Sequence, residues 1–426
     1  MSGARGCPNW VLVQIGLLHY SVPPIVGGVE AVVGHQARLL AAAGHGVRLL
    51  AARGAPSPEA DFYALPLADS RHARVLALKA ELDAGCVPPD FEPLTANLLT
   101  ALRPALTGLA VVIAHNVASL HKNLALTAAL RQLSTEPDAP RLILWHHDLA
   151  WAAPHYAAEL HPGAPWDLLR TAWPGVTQVV VSEVRRRELA ALIGLTPERI
   201  HVIPNGIDQA AFLQLDSQAQ ALAADLGLAR AQPLLLLPVR LTPRKNIELA
   251  LRVLAALRAG SLPNARLLVT GPEGAHNPAN AAYRARLAAL RAELGLESAA
   301  HFVAEWPSAP LTDAAVAACY RLADALFVPS TQEGFGLPLL EAALARLPVF
   351  CADIPALREL GGGDATYFAP DADPAGVAAL VAARLAADPV ARLAQRVRAA
   401  YSWEQVYTRH LAPLLAEAAG PRKGAA

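Results

Sequence analysis

Cysteine is scarce in this chain of 426 residues. Cys7, Cys86, Cys319 and Cys351 form no C-x-x-C pair and show no Cys/His ligand spacing, so no thiolate metal centre is expected and a reducing cytoplasm fits. An excess of charge of one sign is missing as well: Lys+Arg and Asp+Glu both number 36. That excludes the basic balance and clustered cations of a nucleic-acid binder. The one basic run, Arg185-Arg186-Arg187, reads as a solvated helix face. Mean hydropathy is positive at +0.30, yet no apolar run reaches the roughly 18 residues of a membrane span. The apolar character lies in Ala and Leu of helices, so no integral membrane segment is expected. The opening stretch MSGARGCPNW has no apolar h-region, so no secretory signal is expected either and the location expected is cytoplasmic. There is no G-x-G-x-x-G, so a nicotinamide cofactor is not indicated. Lysine is rare, 4 against 32 arginines.

What is present is alternation. The length exceeds one ordinary core, so two domains are expected. Short β-rich runs, WVLVQIGLL, VRLLAA, LAVVIAHN, RLILWHHD, QVVVSE and RIHVIPNGID, alternate with helical patterns. In the first of these helices Val29, Val32, Val33, Gln36, Leu39, Leu40 and Ala43 recur at helical spacing, and Gly44 stands where a C-terminal glycine belongs. After a polar, Ala-rich stretch at about 209–232 the series restarts with PLLLLPVR, ARLLVTGPEG, HFVAE, ALFVPSTQEG and PVFCAD. Strands separated by helices mean parallel sheets with right-handed crossovers, here two doubly wound Rossmann-like domains. Residues 53–110 show the least regular pattern. In open α/β sheets ligands bind beyond the carboxyl ends of the strands. His115-Asn116, His146-His147-Asp148, Arg240, Gly271 and Glu333 all fall there, and two such faces meeting across an interdomain cleft are expected.

Three stretches carry the chemistry. PPIVGGVE sets Gly27 and Gly28 before a helix, where the backbone and the helix N-terminus suit a phosphate, although an ordinary tight loop reads equally well there. PVRLTPRKNIELA places Arg240 and Lys245 on one strand-to-helix loop, two cations suited to a diphosphate leaving group, with a pair of surface salt bridges as the alternative. EGFGLPLLEA frames Phe335 with Gly334 and Gly336, and Pro338 predicts a helix start near Leu337. The N–H groups of Phe335, Gly336 and Leu337 then face a ligand above the sheet. Glu333 precedes them and Glu341 follows one turn into the helix, both natural acceptors for sugar and ribose hydroxyls. The alternatives are a first-turn acid at Glu341 and a turn residue at Glu333.

EGFGLPLLEA resembles the E-x7-E signature of retaining glycosyltransferases of the GT-B fold, family 4. GGVEAVVGHQARLLAAAGHGVRLLA resembles the first βαβ of that family. VSEVRRRELAAL with IHVIPNGID resembles the end of its N-terminal domain, VRLTPRKNIELAL its donor-phosphate loop and YSWEQV its C-terminal helix. The resemblance implies the GT-B fold, with an N-terminal domain over 1–208 on the acceptor side, a donor domain over 209–400, and a C-terminal helix over 401–426 that crosses back. It implies that Glu333 contacts the donor sugar, Glu341 the ribose hydroxyls, Arg240 and Lys245 the diphosphate and Gly28 the phosphates, and that His115 or His147 faces the sugar. Pro238-Val239 stand where the family commonly has a glycine before the arginine.

The pair Asp371 and Asp373 in PDADP has the D-x-D form that holds a metal in other glycosyltransferases. Here it precedes a helix, so Asp373 reads as an N-cap with Pro374 at the first helical position. The expectation is a metal-independent, retaining glycosyltransferase that needs no cofactor. Its donor would be a nucleotide-diphosphate sugar and its acceptor a sugar, a sugar phosphate or another small soluble molecule, with no nucleic acid involved. The rival expectations are a GT-B sugar-nucleotide 2-epimerase and an inactive sugar-nucleotide binding protein.

Overall fold

Continuous apolar runs such as Leu234–Leu237 are what a strand buried on both faces requires, and this chain builds two fully parallel sheets from them. The computed structural model describes residues 12–272 and 279–420. Cys7, the MSGARGCPNW stretch and Glu273-Gly274 of the ARLLVTGPEG strand lie outside the described residues. Two compact units form. One joins the chain up to Gly206 to the segment from Trp403 onward; the other runs from Ile207 to Ser402.

The first unit holds β1 (Gln14–Leu18), β2 (Gly46–Ala51), β3 (Asp61–Ala64), β4 (Val111–His115), β5 (Arg141–His146), β6 (Thr177–Val180) and β7 (Ile200–Val202), in the order β3-β2-β1-β4-β5-β6-β7. The second holds β8 (Leu234–Leu237), β9 (Arg266–Val269), β10 (Ala300–Phe302), β11 (Ala325–Val328), β12 (Val349–Ala352) and β13 (Thr366–Phe368), in the order β10-β9-β8-β11-β12-β13. Strand order reverses between β1 and β4 in the first sheet and between β8 and β11 in the second. Those two switch points are where a doubly wound sheet leaves a crevice outside its carboxyl ends.

Side chains alternate across each sheet, as the two-residue period demands. In the first, Leu18, Leu50, Val112, Ala114 and Leu144 pack on one face, while Ile15, Leu17, Leu49, Ile113, Ile143 and Trp145 pack on the other. The helical tail covers this second face, with Trp403, Val406, Leu411, Leu414 and Leu415 in the same core. In the second sheet Leu235, Leu237, Val269 and Phe327 oppose Leu234, Leu236, Leu268 and Leu326. Cys319 and Cys351 sit in that core, and burial pushes both thiols up to about 12, which leaves them inert.

Three readings need correction. Residues 53–110 are not irregular: they contain β3 and the helices Ala73–Asp83 and Phe91–Leu106. The stretch at 209–232 is not a plain linker, since the helices Gln209–Phe212 and Ser217–Asp225 set Leu215, Ala219 and Leu222 into the second core. The three-residue edge strand β13 went unread as well. Gly44 does end the first helix, Gly28–Ala42, in the left-handed region at φ +92.

Candidate active site

At the switch point of the second sheet, the loops leaving β8 and β11 are joined by a buried ion pair. The Lys245 ammonium donates to Oε1 of Glu333 at 2.5 Å, with side chains 10% and 8% exposed. Arg244 approaches the other carboxylate oxygen at 3.9 Å and donates to the Gln332 carbonyl at 3.2 Å. The Thr331 N–H returns a bond to the Arg244 carbonyl at 2.9 Å. Asn246, at φ +51, turns the chain into the helix Ile247–Ala259. A buried pair of charges is expensive to desolvate and survives only where geometry holds both partners, which these loop-to-loop bonds do. An ammonium has three donors, so one bond to Glu333 leaves two.

Arg240 lies on the same loop, exposed, and among the described residues it makes no ion pair. Its backbone is fixed from beneath. The Leu241 N–H donates to the Pro272 carbonyl at 3.1 Å, and a Cβ on Gly271 would sit 2.1 Å from the Val239 carbonyl oxygen. Gly271 therefore serves backbone approach, the need that the missing glycine at Pro238-Val239 left open. The other loop ends at Gly336, whose φ of +106 starts the helix Leu337–Leu344, with Pro338 in its first turn. Gly334 is open on its Cβ side, and Phe335 and Leu337 are exposed. Glu341 projects from this helix and accepts a bond from the hydroxyl of Tyr320. The structure thus brings Lys245, Glu333 and Arg244 into contact and sets Glu341 on the adjoining helix. Asp373 caps the helix Pro374–Ala387 by accepting from the Gly376 N–H at 2.9 Å.

The first unit gathers imidazoles at its own switch point. His19, just past β1, donates from Nδ1 to the carbonyl of His115, the last residue of β4, at 2.8 Å. The His115 ring is wholly buried, with Nε2 3.1 Å from Oε1 of Gln36 and Nδ1 3.1 Å from Nε2 of His147. With Gln36 as acceptor, His147 donates to His115. Burial holds the His115 ring well below its usual range, and burial, reinforced by His19, lowers His147 to about 4. The rings are neutral hydrogen-bonding groups near pH 7. His147 is the partly exposed one; His115 is not open to a ligand. Asp148 faces Asn116 and Arg185. Asn116, at φ +57, fixes the backbone of His147 and Asp148 through its Oδ1, which accepts from the His147 backbone N–H at 2.8 Å and the Asp148 backbone N–H at 3.2 Å. His146 points away and donates to Gln178 at 2.8 Å.

Gly27 and Gly28 begin the first helix, and the Cβ side of Gly28 is open. Beside them lies a pocket of about 290 Å³ whose wall includes His19, Glu30, Arg53, Arg71, Lys79 and Lys122. Glu30 accepts from the Ser21 hydroxyl at 2.6 Å. Lys79 is held by Asp83 at 2.5 Å and Glu159 at 2.9 Å, and His121 donates to Glu159 at 2.5 Å. Asp83, His121 and Glu159 lie within 4.8 Å of one another, as metal ligands would, but the Lys79 ammonium already bonds both carboxylates. Sequence reasoning missed His19, Gln36, Arg244 and Tyr320. Two had signals: His19 follows a strand, and Gln36 is a polar residue on an otherwise apolar helix face.

Two doubly wound parallel units in one chain, with charged loops at a switch point, make up the GT-B class of fold. The model described as Glycosyltransferase Family 4 matches residues 26–211, and the one described as Glycosyl transferases group 1 matches 219–400. The chain belongs to this family of glycosyltransferases. It is similar to the D-inositol 3-phosphate glycosyltransferase of Kineococcus radiotolerans, 34% identical over 52% of this chain and 52% of that protein. It is also similar to that of Acidothermus cellulolyticus, 33% identical over 50% and 46% respectively. The chain spans about half the length of the curated relatives it matches. Among solved structures, the sucrose-phosphate synthase of Thermosynechococcus elongatus aligns over 96% of this chain and 99% of its own, with 19% identity and a TM-score of 0.37. No helix among the described residues is long and apolar enough to cross a membrane.

Proposed function

We propose that this chain is a retaining, metal-independent glycosyltransferase that moves a sugar from a nucleotide-diphosphate donor to a hydroxyl of a small soluble sugar phosphate. The observation that carries the reading is the buried Lys245–Glu333 pair, which joins two loops at the switch point of the second sheet. Arg240 and the remaining donors of Lys245 hold the diphosphate and neutralise the charge that grows as it leaves. Glu333 contacts the sugar, Glu341 accepts from the ribose hydroxyls, and the backbone over Gly334–Leu337 lies against the donor. Gly271 supports the Arg240 loop. His147 is assigned to the sugar in preference to the buried His115. The acceptor hydroxyl attacks the anomeric carbon as the bond to the diphosphate breaks, and its proton passes to a leaving oxygen of the diphosphate. A phosphorylated acceptor is supported by the names of the relatives and by the pocket with Arg71 and Lys122 on its wall. The free thiols of Cys86, Cys319 and Cys351 support a reducing, cytoplasmic setting.

The test is a panel of nucleotide sugars crossed with sugar phosphates, in EDTA. Acceptor-dependent release of nucleoside diphosphate, with the anomeric configuration kept in the product, is expected. Donor binding without transfer to any acceptor would overturn the proposal. Turnover lost in chelator and restored by Mg²⁺ would transfer the leaving-group role from Lys245 and Arg240 to a metal.

A further inference from the structure

We propose that Tyr320 is a positioning residue of the donor site, fixing the carboxylate of Glu341 so that the site prefers ribose over deoxyribose in the nucleotide. The proposal rests on the assignment of Glu341 to the ribose given above. Tyr320 lies on the buried face of the helix Asp313–Leu322, is 4% exposed, and donates its hydroxyl to Oε2 of Glu341 on the helix Leu337–Leu344. The two residues differ in freedom. Glu341 is exposed, and an exposed glutamate samples many rotamers that it must give up on binding. Tyr320 is locked in the core beside Cys319, Leu322 and Leu326. The bond transfers the rigidity of the core to an exposed carboxylate.

The chemistry fits an ordered acceptor. Burial first, and the Glu341 carboxylate second, raise the phenol well above its ordinary range, so it stays a donor at every working pH. A phenol has one hydrogen to donate, so it occupies one acceptor position on Oε2 and leaves Oε1 to vicinal hydroxyls. The neighbouring Cys319 thiol is neutral and brings no competing charge. The helix that carries Glu341 is itself anchored, with Leu339 and Ala342 buried beneath it. Glu341 is therefore held at both its backbone and its head group before any ligand arrives.

Tyr320→Phe keeps the ring and removes only the hydroxyl. Calorimetry on the full chain would compare a nucleoside diphosphate with its 2′,3′-dideoxy counterpart, using the base that the wild type binds best. The expected result is a loss of roughly three- to tenfold in affinity for the ribose form, the size of one hydrogen bond. The dideoxy form should be unaffected. An unchanged ratio between the two forms in Tyr320→Phe would show that the phenol only ties two helices together. Glu341→Ala separates the two ways of failing. If it leaves the wild-type preference for ribose intact, the assignment of Glu341 falls and the role of Tyr320 falls with it. If it abolishes the preference while Tyr320→Phe does not, only the positioning inference is overturned.

Discussion

Lys245 is an ammonium in a chain that supplies most of its cations as guanidinium, and its partner Glu333 is almost entirely buried. A guanidinium is a broad fork and an ammonium a compact point, so Lys245→Arg should lower kcat although the charge is kept. Lys245→Ala should remove roughly 2.7–4 kcal/mol of transition-state stabilisation, as loss of one oxyanion-type donor does. It should also lower the melting temperature, because the buried Glu333 charge is left with only the half-exposed Arg244, 3.9 Å away, as a partner. Lys245→Ala with Glu333→Ala should then recover the melting temperature and not the activity; a double variant that melts no higher than Lys245→Ala would refute the pair as an energetic unit. The two glutamates should fail differently. Glu341→Ala should weaken nucleoside-diphosphate binding by about 1.5–3 kcal/mol, whereas Glu333→Ala should act mainly on turnover. Equal losses of nucleotide affinity in calorimetry would remove that division.

The loops at the carboxyl end of the second sheet behave as one element. Gly271, two residues past β9, lies under Val239 and Arg240, and any Cβ there meets backbone, which cannot swing aside as a side chain can. Gly271→Ala should therefore displace the Arg240 loop and cost about 1–3 kcal/mol in stability, the range of overpacking. The loss in kcat/KM should exceed what the shift in melting explains, and wild-type kinetics at 25 °C would show that the loop tolerates the movement. Most elements were legible because they are periodic: the helix start at Leu337, the Asp373 cap and the central strands all follow from spacing and turn chemistry. β3 and β13 were not, for a physical reason. They are short edge strands, and DFYA and TYF carry no clear alternation, so pairing with β2 and β12 makes them strands.

Across the whole molecule, buried imidazoles set an acid limit. Burial lowers His146 and His147 to about 4, against roughly 6.5 in an unfolded chain. Between these values the unfolded state binds protons that the folded state does not. Stability is thus fully present above pH 6.5 and is lost as pH falls towards 4, by up to about 1.4 kcal/mol per pH unit for each ring. Melting temperature measured from pH 8 to 4.5 should be flat above 6.5 and decline below it, and His146→Gln should flatten the decline. A level profile down to pH 4.5 would contradict the neutral state of these rings.

The sequence alone determined the class of fold and the residue types of the site. Parallel sheets follow from alternating buried runs and helices, and E-x7-E with the Arg240–Lys245 loop marked where charge would gather. Only tertiary structure decided which of those residues meet. Spacing could not reveal that Lys245 and Glu333, 88 residues apart, close into one pair. Nor could it show that His115 is sealed behind His147, or that Tyr320 reaches the carboxylate of Glu341. Local pattern is written in neighbours along the chain. Pairing between loops depends on the strand order of the sheet, which sets β8 beside β11 and β1 beside β4, and that order is fixed by packing the whole unit.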